Sequence, residues 1–179
     1  MRTTIIRFGG DQDIMLTQTS ESAIRGLVYL AQHGGAGPVS PRIIAIRLGL
    51  SPSYTAKVVR LLVRANILRA HKGSLGGVNL NRPPSAITML SVVEACQGRV
   101  VGDYCRGSCD PRLTCAYHRF AAELHETVVG VLSRWTLGDI LAKPEPAAEL
   151  RGLTDCKMMG RPRTEQWGVV ESGRFMRKS

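Results

Sequence analysis

Apolar residues recur at helical spacing along the first third of the chain and predict three helices. A capping residue at Ser20 opens the first helix, whose apolar side chains share one face. The second helix begins at Ser40, which is followed by proline, and stops at Gly49. The third begins at Ser51, again followed by proline, and ends near Asn66. Two short helices joined by a tight turn that contains glycine predict a helix-turn-helix.

Two short apolar segments joined by a glycine-rich connection follow these helices. Residues 67–71 and 78–80 have the composition of strands, and the loop between them begins at Lys72. This hairpin is the wing of a winged helix-turn-helix. Further amphipathic helices are predicted over residues 85–97 and 117–132. The predicted fold is therefore mainly α with a small β wing: a winged helix-turn-helix followed by a long dimerisation helix.

The last predicted helix carries an apolar stripe along its whole length. The stripe consists of Tyr117, Phe120, Ala121, Leu124, Val128, Val131 and Leu132. So small a domain cannot cover a stripe of this length on its own, so we expect a second copy to pair with it. The sequence thus predicts a homodimer.

Composition and element spacing predict five segments along the chain. They are a flexible leader (1–14), a winged helix-turn-helix DNA-binding domain (15–98), a cysteine-bearing loop (99–116), a dimerisation helix (117–142) and a basic tail expected to be disordered (143–179). No apolar run reaches the length of a membrane span, and residues 1–13 lack the features of a secretory signal. We therefore expect a cytoplasmic protein with no membrane partner. No catalytic constellation indicates an enzyme.

The charge of the chain is strongly positive and unevenly distributed. The formal net charge is +10, yet no Asp or Glu occurs between Ser22 and Val93. The basic residues of this acid-free stretch are Arg25, Arg42, Arg47, Lys57, Arg60, Arg64, Arg69, Lys72 and Arg82. Each phosphate that such a surface neutralises releases condensed counterions and strengthens binding, so double-stranded DNA is the expected partner.

Three of the five cysteines lie close together between two predicted helices. Three residues separate Cys105 from Cys109 and five separate Cys109 from Cys115, with His118 three positions further on. Cytoplasmic thiols stay reduced, so a cluster of cysteines indicates metal or redox chemistry more than structural disulfides. Thiolates at this spacing can converge on an iron–sulfur cluster or on zinc. Cys96 is expected to be a core residue.

Several local motifs together resemble the iron–sulfur winged-helix transcription regulators of the IscR/NsrR type. The motifs are Leu-Thr before the first helix, Leu-Ser-Pro-Ser-Tyr at the third, Lys-Gly-x-x-Gly-Gly in the wing, Ile-Thr-x-x-x-Val-Val, the three-cysteine loop, and Thr-Leu-Gly-Asp-Ile at 136–140. The resemblance covers about residues 15–141. The sequence departs from the usual pattern in having three residues, commonly five, between the first two cysteines, and a wing without proline or an aromatic residue.

The resemblance implies a cluster, of 2Fe–2S or 4Fe–4S type, held by Cys105, Cys109 and Cys115. The fourth ligand varies in the family, and two residues match: His118, or Glu21 on the first helix, which would reach the cluster of the partner subunit. A weaker ligand that is not a thiolate leaves one iron more open to attack or loss.

DNA contacts are expected from the third helix and the wing. By match to the family, Ser51, Ser53, Tyr54 and Lys57 would reach base edges or phosphates. Their chemistry suits Lys72 to the minor groove and Arg60 and Arg64 to the phosphates. The implied function is a transcription regulator, expected to be a repressor, that binds a palindromic operator and senses iron–sulfur status, redox state or nitric oxide.

Three other readings of the same residues stay open. A cluster-free repressor would respond through thiol–disulfide exchange at the cysteines, and a zinc-binding regulator would hold a metal without redox activity. A small electron-transfer protein would explain the cysteines but not the acid-free stretch or the wing.

Overall fold

The computed structural model describes residues 16–73, 76–100 and 114–144, and the architecture is mainly α with one small antiparallel sheet. The helices are α1 (Gln18–His33), α2 (Pro41–Leu48), α3 (Pro52–Arg64), α4 (Met89–Gln97), α5 (Ala116–Arg134) and α6 (Leu137–Ala142). The strands are β1 (Leu68–His71) and β2 (Gly77–Leu80), and short 3-10 turns cover Gly34–Ala36 and Pro84–Ala86. The predicted winged helix-turn-helix fold is confirmed.

Local capping chemistry places the two helices of the helix-turn-helix where the sequence predicts them. The Ser40 side chain accepts a hydrogen bond from the amide of Arg42 at 3.3 Å and starts α2. Gly49 ends α2 in the left-handed conformation (φ 66°), which glycine adopts without steric cost. The Ser51 side chain then caps α3 by accepting from the amide of Tyr54 at 3.3 Å. Three residues therefore separate the end of α2 from the start of α3.

Two helices begin at different residues from those that the sequence predicts. The N-cap of α1 is Thr17, because the predicted cap, Ser20, is fully buried and its hydroxyl donates to the Gln97 side chain at 2.9 Å. The N-cap of α4 is Thr88, later than the predicted start at residue 85. Residues 84–86 form a 3-10 turn instead, and the backbone just before α4 pairs with a distant part of the chain.

The wing is anchored to the connection between α1 and α2. β1 and β2 pair antiparallel from Leu68 opposite Leu80 to His71 opposite Gly77. Val39 forms a further bridge with Val78, in which the two amide-to-carbonyl hydrogen bonds measure 2.9 Å each. A Cβ atom on Gly77 would lie 2.6 Å from the carbonyl carbon and oxygen of Val39, so only glycine permits this approach.

The core lies between α1, α3, α4 and the sheet. Leu27, Ile67, Ile87, Val92 and Leu137 are among its fully buried side chains. Leu137 belongs to α6, so the last described helix packs into the same core as the winged helix-turn-helix.

The predicted helix over residues 117–142 is two helices in the structure. α5 ends at Arg134, and α6 begins at Leu137 after a two-residue break. Thr136 forms an antiparallel bridge with Thr88, which requires extended backbone and interrupts the helix. Side-chain hydrogen bonds between Thr136 and Asp139 then form a capping box that starts α6. None of the helices in the described part of the chain has the length and apolarity to cross a membrane.

Candidate nucleic-acid interface and cysteine segment

The reading helix α3 has one buried face and one exposed face. Thr55, Val58, Val59 and Leu62 face the core. The residues predicted to contact DNA that lie on the exposed face are Ser51, Ser53, Lys57, Arg60 and Arg64. The two serine hydroxyls lie 3.4 Å apart at the start of the helix. Hydroxyl groups therefore stand at the N-terminal end of α3, where a recognition helix meets base edges, and cations follow along the helix.

Tyr54 differs from the other predicted DNA contacts on α3. Its side chain is half-buried and packs against the core, and its hydroxyl donates toward Thr19 at 3.4 Å and toward Ser22 at 3.5 Å. Both partners belong to the first turns of α1. The tyrosine therefore joins the start of α3 to the start of α1, in addition to any contact with DNA.

The wing carries two exposed cations. Lys72 is exposed at the start of the wing loop, and Arg69 is exposed on β1. The side chains of His71 and Asn79 are 3.0 Å apart across the two strands, next to the wing loop. Residues 74 and 75, at the loop tip, lie outside the described residues.

Three further exposed arginines had no individual role in the prediction: Arg42 and Arg47 on α2 and Arg69 on β1. All three belong to the acid-free stretch, which was the sequence signal for them. Arg25, in contrast, donates to the carbonyl oxygen of Leu48 at 3.2 Å and ties α1 to the end of α2.

The cysteine segment is described at its C-terminal end. Cys115 is exposed and is the N-cap of α5, and His118 is half-buried one turn later. A thiol at the N-cap and an imidazole three positions later thus both belong to the start of α5. Glu21 is half-buried on the first turn of α1. Cys105, Cys109 and Cys156 lie outside the described residues.

The described residues do not include a complete set of metal ligands. Within residues 16–73, 76–100 and 114–144, no three His, Cys, Asp or Glu side chains are placed to hold a metal ion. Two of the three predicted cysteine ligands fall in the gap between these ranges.

Cys96 precedes the cysteine segment in the sequence and lies near the end of α4. Its side chain is half-buried against the core, and burial raises the pKa of its thiol to about 11. The thiolate is the form that binds metals and reacts, so Cys96 stays neutral and unreactive near neutral pH. This agrees with its expected role as a core residue.

Comparison with known proteins assigns this chain to a family. The profile of the Rrf2 family, described as "Iron-dependent Transcriptional regulator", matches residues 16–143. The chain belongs to the Rrf2 family. An HTH-type transcriptional regulator of Azotobacter vinelandii, ORF2, is 30% identical over 132 residues, which cover 73% of this chain and 80% of that protein.

Two further proteins are similar to this chain over most of their length. The HTH-type transcriptional regulator IscR of Escherichia coli is 27% identical over 73% of this chain and 82% of its own. The structure of CymR, the global cysteine regulator of B. subtilis, superposes with a TM-score of 0.60 at 24% identity, over 71% of this chain and 95% of that one. The relatives of this Rrf2 chain are transcription regulators and not enzymes.

Proposed function

We propose that this Rrf2-family regulator is a cytoplasmic homodimer that binds a palindromic operator and represses transcription. Its input is iron–sulfur status, redox state or nitric oxide, sensed through a cluster held by Cys105, Cys109 and Cys115. The single observation that carries the proposal is the pair of donors at the start of α5, Cys115 and His118, in a chain with a complete DNA-binding head.

The exposed face of α3 supports operator binding. Hydroxyls at Ser51 and Ser53 can exchange hydrogen bonds with base edges or phosphates, and Lys57 favours guanine when it reaches a base. Lys72 can enter the minor groove beside the helix. Two copies of α3 set roughly 34 Å apart would read two half-sites related by two-fold symmetry.

The outer face of α5 supports a homodimer. Tyr117 is 68% exposed and Phe120 61% exposed, and Leu124, Val131 and Trp135 continue the same stripe toward the end of the helix. A different face of α5, which includes Ala121, packs on the DNA-binding head. A helix with two apolar faces needs a second cover, and an identical helix provides one of matching length and chemistry.

The donors at the start of α5 fit an iron–sulfur cluster. Cys115 presents an exposed thiol, and His118 or Glu21 can supply the fourth, weaker ligand. When bound, such a cluster would supply iron that oxidants or nitric oxide can attack, and the cluster could also lose iron. The two fourth-ligand alternatives differ in origin, because His118 lies on the same helix as Cys115 whereas Glu21 lies on α1 and would serve the partner subunit.

A cluster-free thiol switch is the second candidate. The observation that favours it is the exposure of Cys115, which leaves the thiol open to an oxidant or to a second thiol. In this reading Cys105 or Cys109 would supply the partner sulfur of a disulfide. Zinc bound by the same donors is a third outcome of the test below.

Anaerobic purification followed by absorbance spectra and iron and sulfide analysis tests the input. We expect a coloured protein that contains iron and sulfide. The Cys115→Ser variant should lose the colour, the iron and the sulfide, and the control variant Cys96→Ala should keep them. Colourless protein with a reversible disulfide supports the thiol switch, and colourless protein with zinc supports the zinc regulator.

The output is tested with double-stranded DNA selected by the anaerobic protein from a random-sequence library. We expect an inverted repeat to be selected, and we expect the affinity for that duplex to change when the cluster is removed. An unchanged affinity would contradict the sensing proposal while leaving DNA binding intact.

A further inference from the structure

The side chain of Gln97 holds the first turn of α1 in place. Its carbonyl oxygen Oε1 accepts a hydrogen bond from the hydroxyl of Ser20 at 2.9 Å and another from the amide of Thr17 at 3.2 Å. Ser20 is completely buried, and Thr17 is the N-cap of α1. One side-chain amide from the last residue of α4 therefore satisfies both a buried hydroxyl and an amide at the helix start.

Tyr54 contacts the same turn of α1 from the reading helix. Its hydroxyl points to Thr19 and Ser22, which alternate with the two groups that Gln97 holds. These contacts are long, at 3.4 and 3.5 Å, so the packing of the half-buried ring against the core contributes most of the attachment. The first turn of α1 thus lies between the end of α4 and the first turn of α3.

The chain connects this turn to the cysteine segment. Gln97 ends α4, and the polypeptide continues from it through residues 99–114 to Cys115 at the start of α5. Under the proposed function, a change in that segment would reach the end of α4 along the chain. Gln97 would transmit a shift there to Thr17 and Ser20, and Tyr54 would transmit it to the helix that carries Ser51 and Ser53.

We propose that Gln97 is a positioning residue that couples the state of the cysteine segment to the DNA-reading helix through the first turn of α1 and Tyr54. The regulatory part of this inference rests on the proposed function. No local sequence pattern points to Gln97, because its partners lie about eighty positions away in the sequence.

Removing the acceptor of Gln97 has a defined physical consequence. A methionine at this position keeps a similar length but removes the acceptor of the Thr17 amide and leaves the buried Ser20 hydroxyl with the Thr17 hydroxyl, 3.1 Å away, as its remaining partner. A glutamate keeps the acceptor, and its negative charge is favourable at the N-terminus of α1. Gln97→Met should therefore weaken the contacts that join the end of α4 to the first turn of α1 and to α3, whereas Gln97→Glu should retain them.

Hydrogen–deuterium exchange of the cluster-free protein tests the path without reference to any cofactor. Gln97→Met should speed exchange by at least about threefold at the amides of Ser20 and Glu21, and also at Tyr54 and Thr55 on α3. The exchange of β1 and β2 should not change. Gln97→Glu should return both sites to the rate of the unsubstituted protein, and the control Gln32→Met, an exposed glutamine near the other end of α1, should have no effect. Faster exchange confined to α1 would overturn the proposal.

DNA binding then tests the coupling itself. The ratio of affinities of the cluster-loaded and cluster-free protein for the selected duplex is expected to be about 5- to 150-fold. Gln97→Met should reduce this ratio to less than about one third of its value in the unsubstituted protein. A ratio that Gln97→Met leaves unchanged overturns the coupling. If the unsubstituted protein itself shows no ratio, the sensing proposal is wrong, and the exchange experiment alone decides whether Gln97 positions α3.

Discussion

The carbonyl oxygen of Trp135 accepts a hydrogen bond from the amide of Met89 at 2.8 Å, and this pair joins the end of α5 to the start of α4. In the same antiparallel bridge, the amide of Leu137 donates to the carbonyl oxygen of Ile87, also at 2.8 Å. The proposed dimerisation helix is therefore attached to the DNA-binding head by backbone hydrogen bonds at its C-terminal end as well as by side-chain packing.

The capping box of α6 makes this junction sensitive to pH. Asp139 accepts hydrogen bonds from the hydroxyl and the amide of Thr136, at 2.6 and 2.8 Å, and these bonds lower the pKa of its carboxyl group. A carboxyl group with a lowered pKa stabilises the fold above its unfolded pKa, and the contribution is lost as the pH falls through the folded value. Asp139→Asn should therefore lower the Tm near neutral pH.

The difference in Tm between the unsubstituted protein and Asp139→Asn should shrink as the pH falls from about 7 to about 3. Thermal melts followed by circular dichroism measure it. Glu126→Gln, an exposed carboxylate on α5, is the control and should show a smaller difference at neutral pH. A difference that stays constant with pH would contradict the role of the charge.

Gly77 is one of two wing glycines, with Gly76, at which an added Cβ would meet backbone atoms at 2.6 Å. An added methyl group would lie 2.6 Å from the backbone of Val39, so Gly77→Ala must push β2 away from the residue that anchors it. We expect the free energy of unfolding to fall by about 1–3 kcal/mol, as for overpacked sites in general. Denaturant unfolding measures this. Gly35→Ala, where nothing lies within 4 Å of the new Cβ, should change it by less than about 0.5 kcal/mol.

Arg60 should contribute to DNA affinity through phosphate. Its side chain is exposed on α3 next to the proposed base-reading positions. Arg60→Ala should weaken binding to all duplexes alike and reduce the slope of log affinity against log salt by about 1. Fluorescence anisotropy titrations over a range of salt concentrations measure the slope. Lys143→Ala removes an exposed cation after α6, and an equal loss there would show that the effect is not specific to α3.

The apolar stripe of α5 should determine the oligomeric state. Leu124 is 51% exposed at the middle of the stripe, so Leu124→Glu would place charge in the proposed dimer interface. We expect the dimer dissociation constant to rise at least about 30-fold, the effect of losing a strong interface contact. Sedimentation velocity over a concentration series measures it. Ser133→Glu, an exposed site on a polar face of the same helix, should leave the dimer intact.

Local sequence signals predicted the DNA-binding head and long-range contacts altered its details. Ser40, Gly49 and Ser51 mark helix ends through capping groups within three residues, so their positions can be read from the sequence. Ser20 has the same local signal, but its hydroxyl is committed to Gln97, and Thr17 takes over the cap. Tertiary hydrogen bonds of this kind leave no mark in local spacing.

The candidate site shows the same division. The cations of α3 followed from the basic, acid-free stretch, and the hydroxyls of Ser51 and Ser53 followed from the resemblance to the family. The attachment of Tyr54 to α1 and the interruption of the helix at Trp135 did not, because both depend on partners in other parts of the chain. Cys105 and Cys109 remain sequence predictions.

The backbone contact between Gly77 and Val39 fixes the separation of the wing from the reading helix. β2 is bonded to the chain just before α2, and the amide of Ile67 bonds to the carbonyl oxygen of Leu62 at 2.9 Å where α3 passes into the sheet. Backbone hydrogen bonds therefore hold the wing and α3 to each other. If both contact DNA as proposed, a duplex whose groove width does not match their separation would have to deform, and the protein would discriminate sequences by their stiffness at positions where it contacts no base.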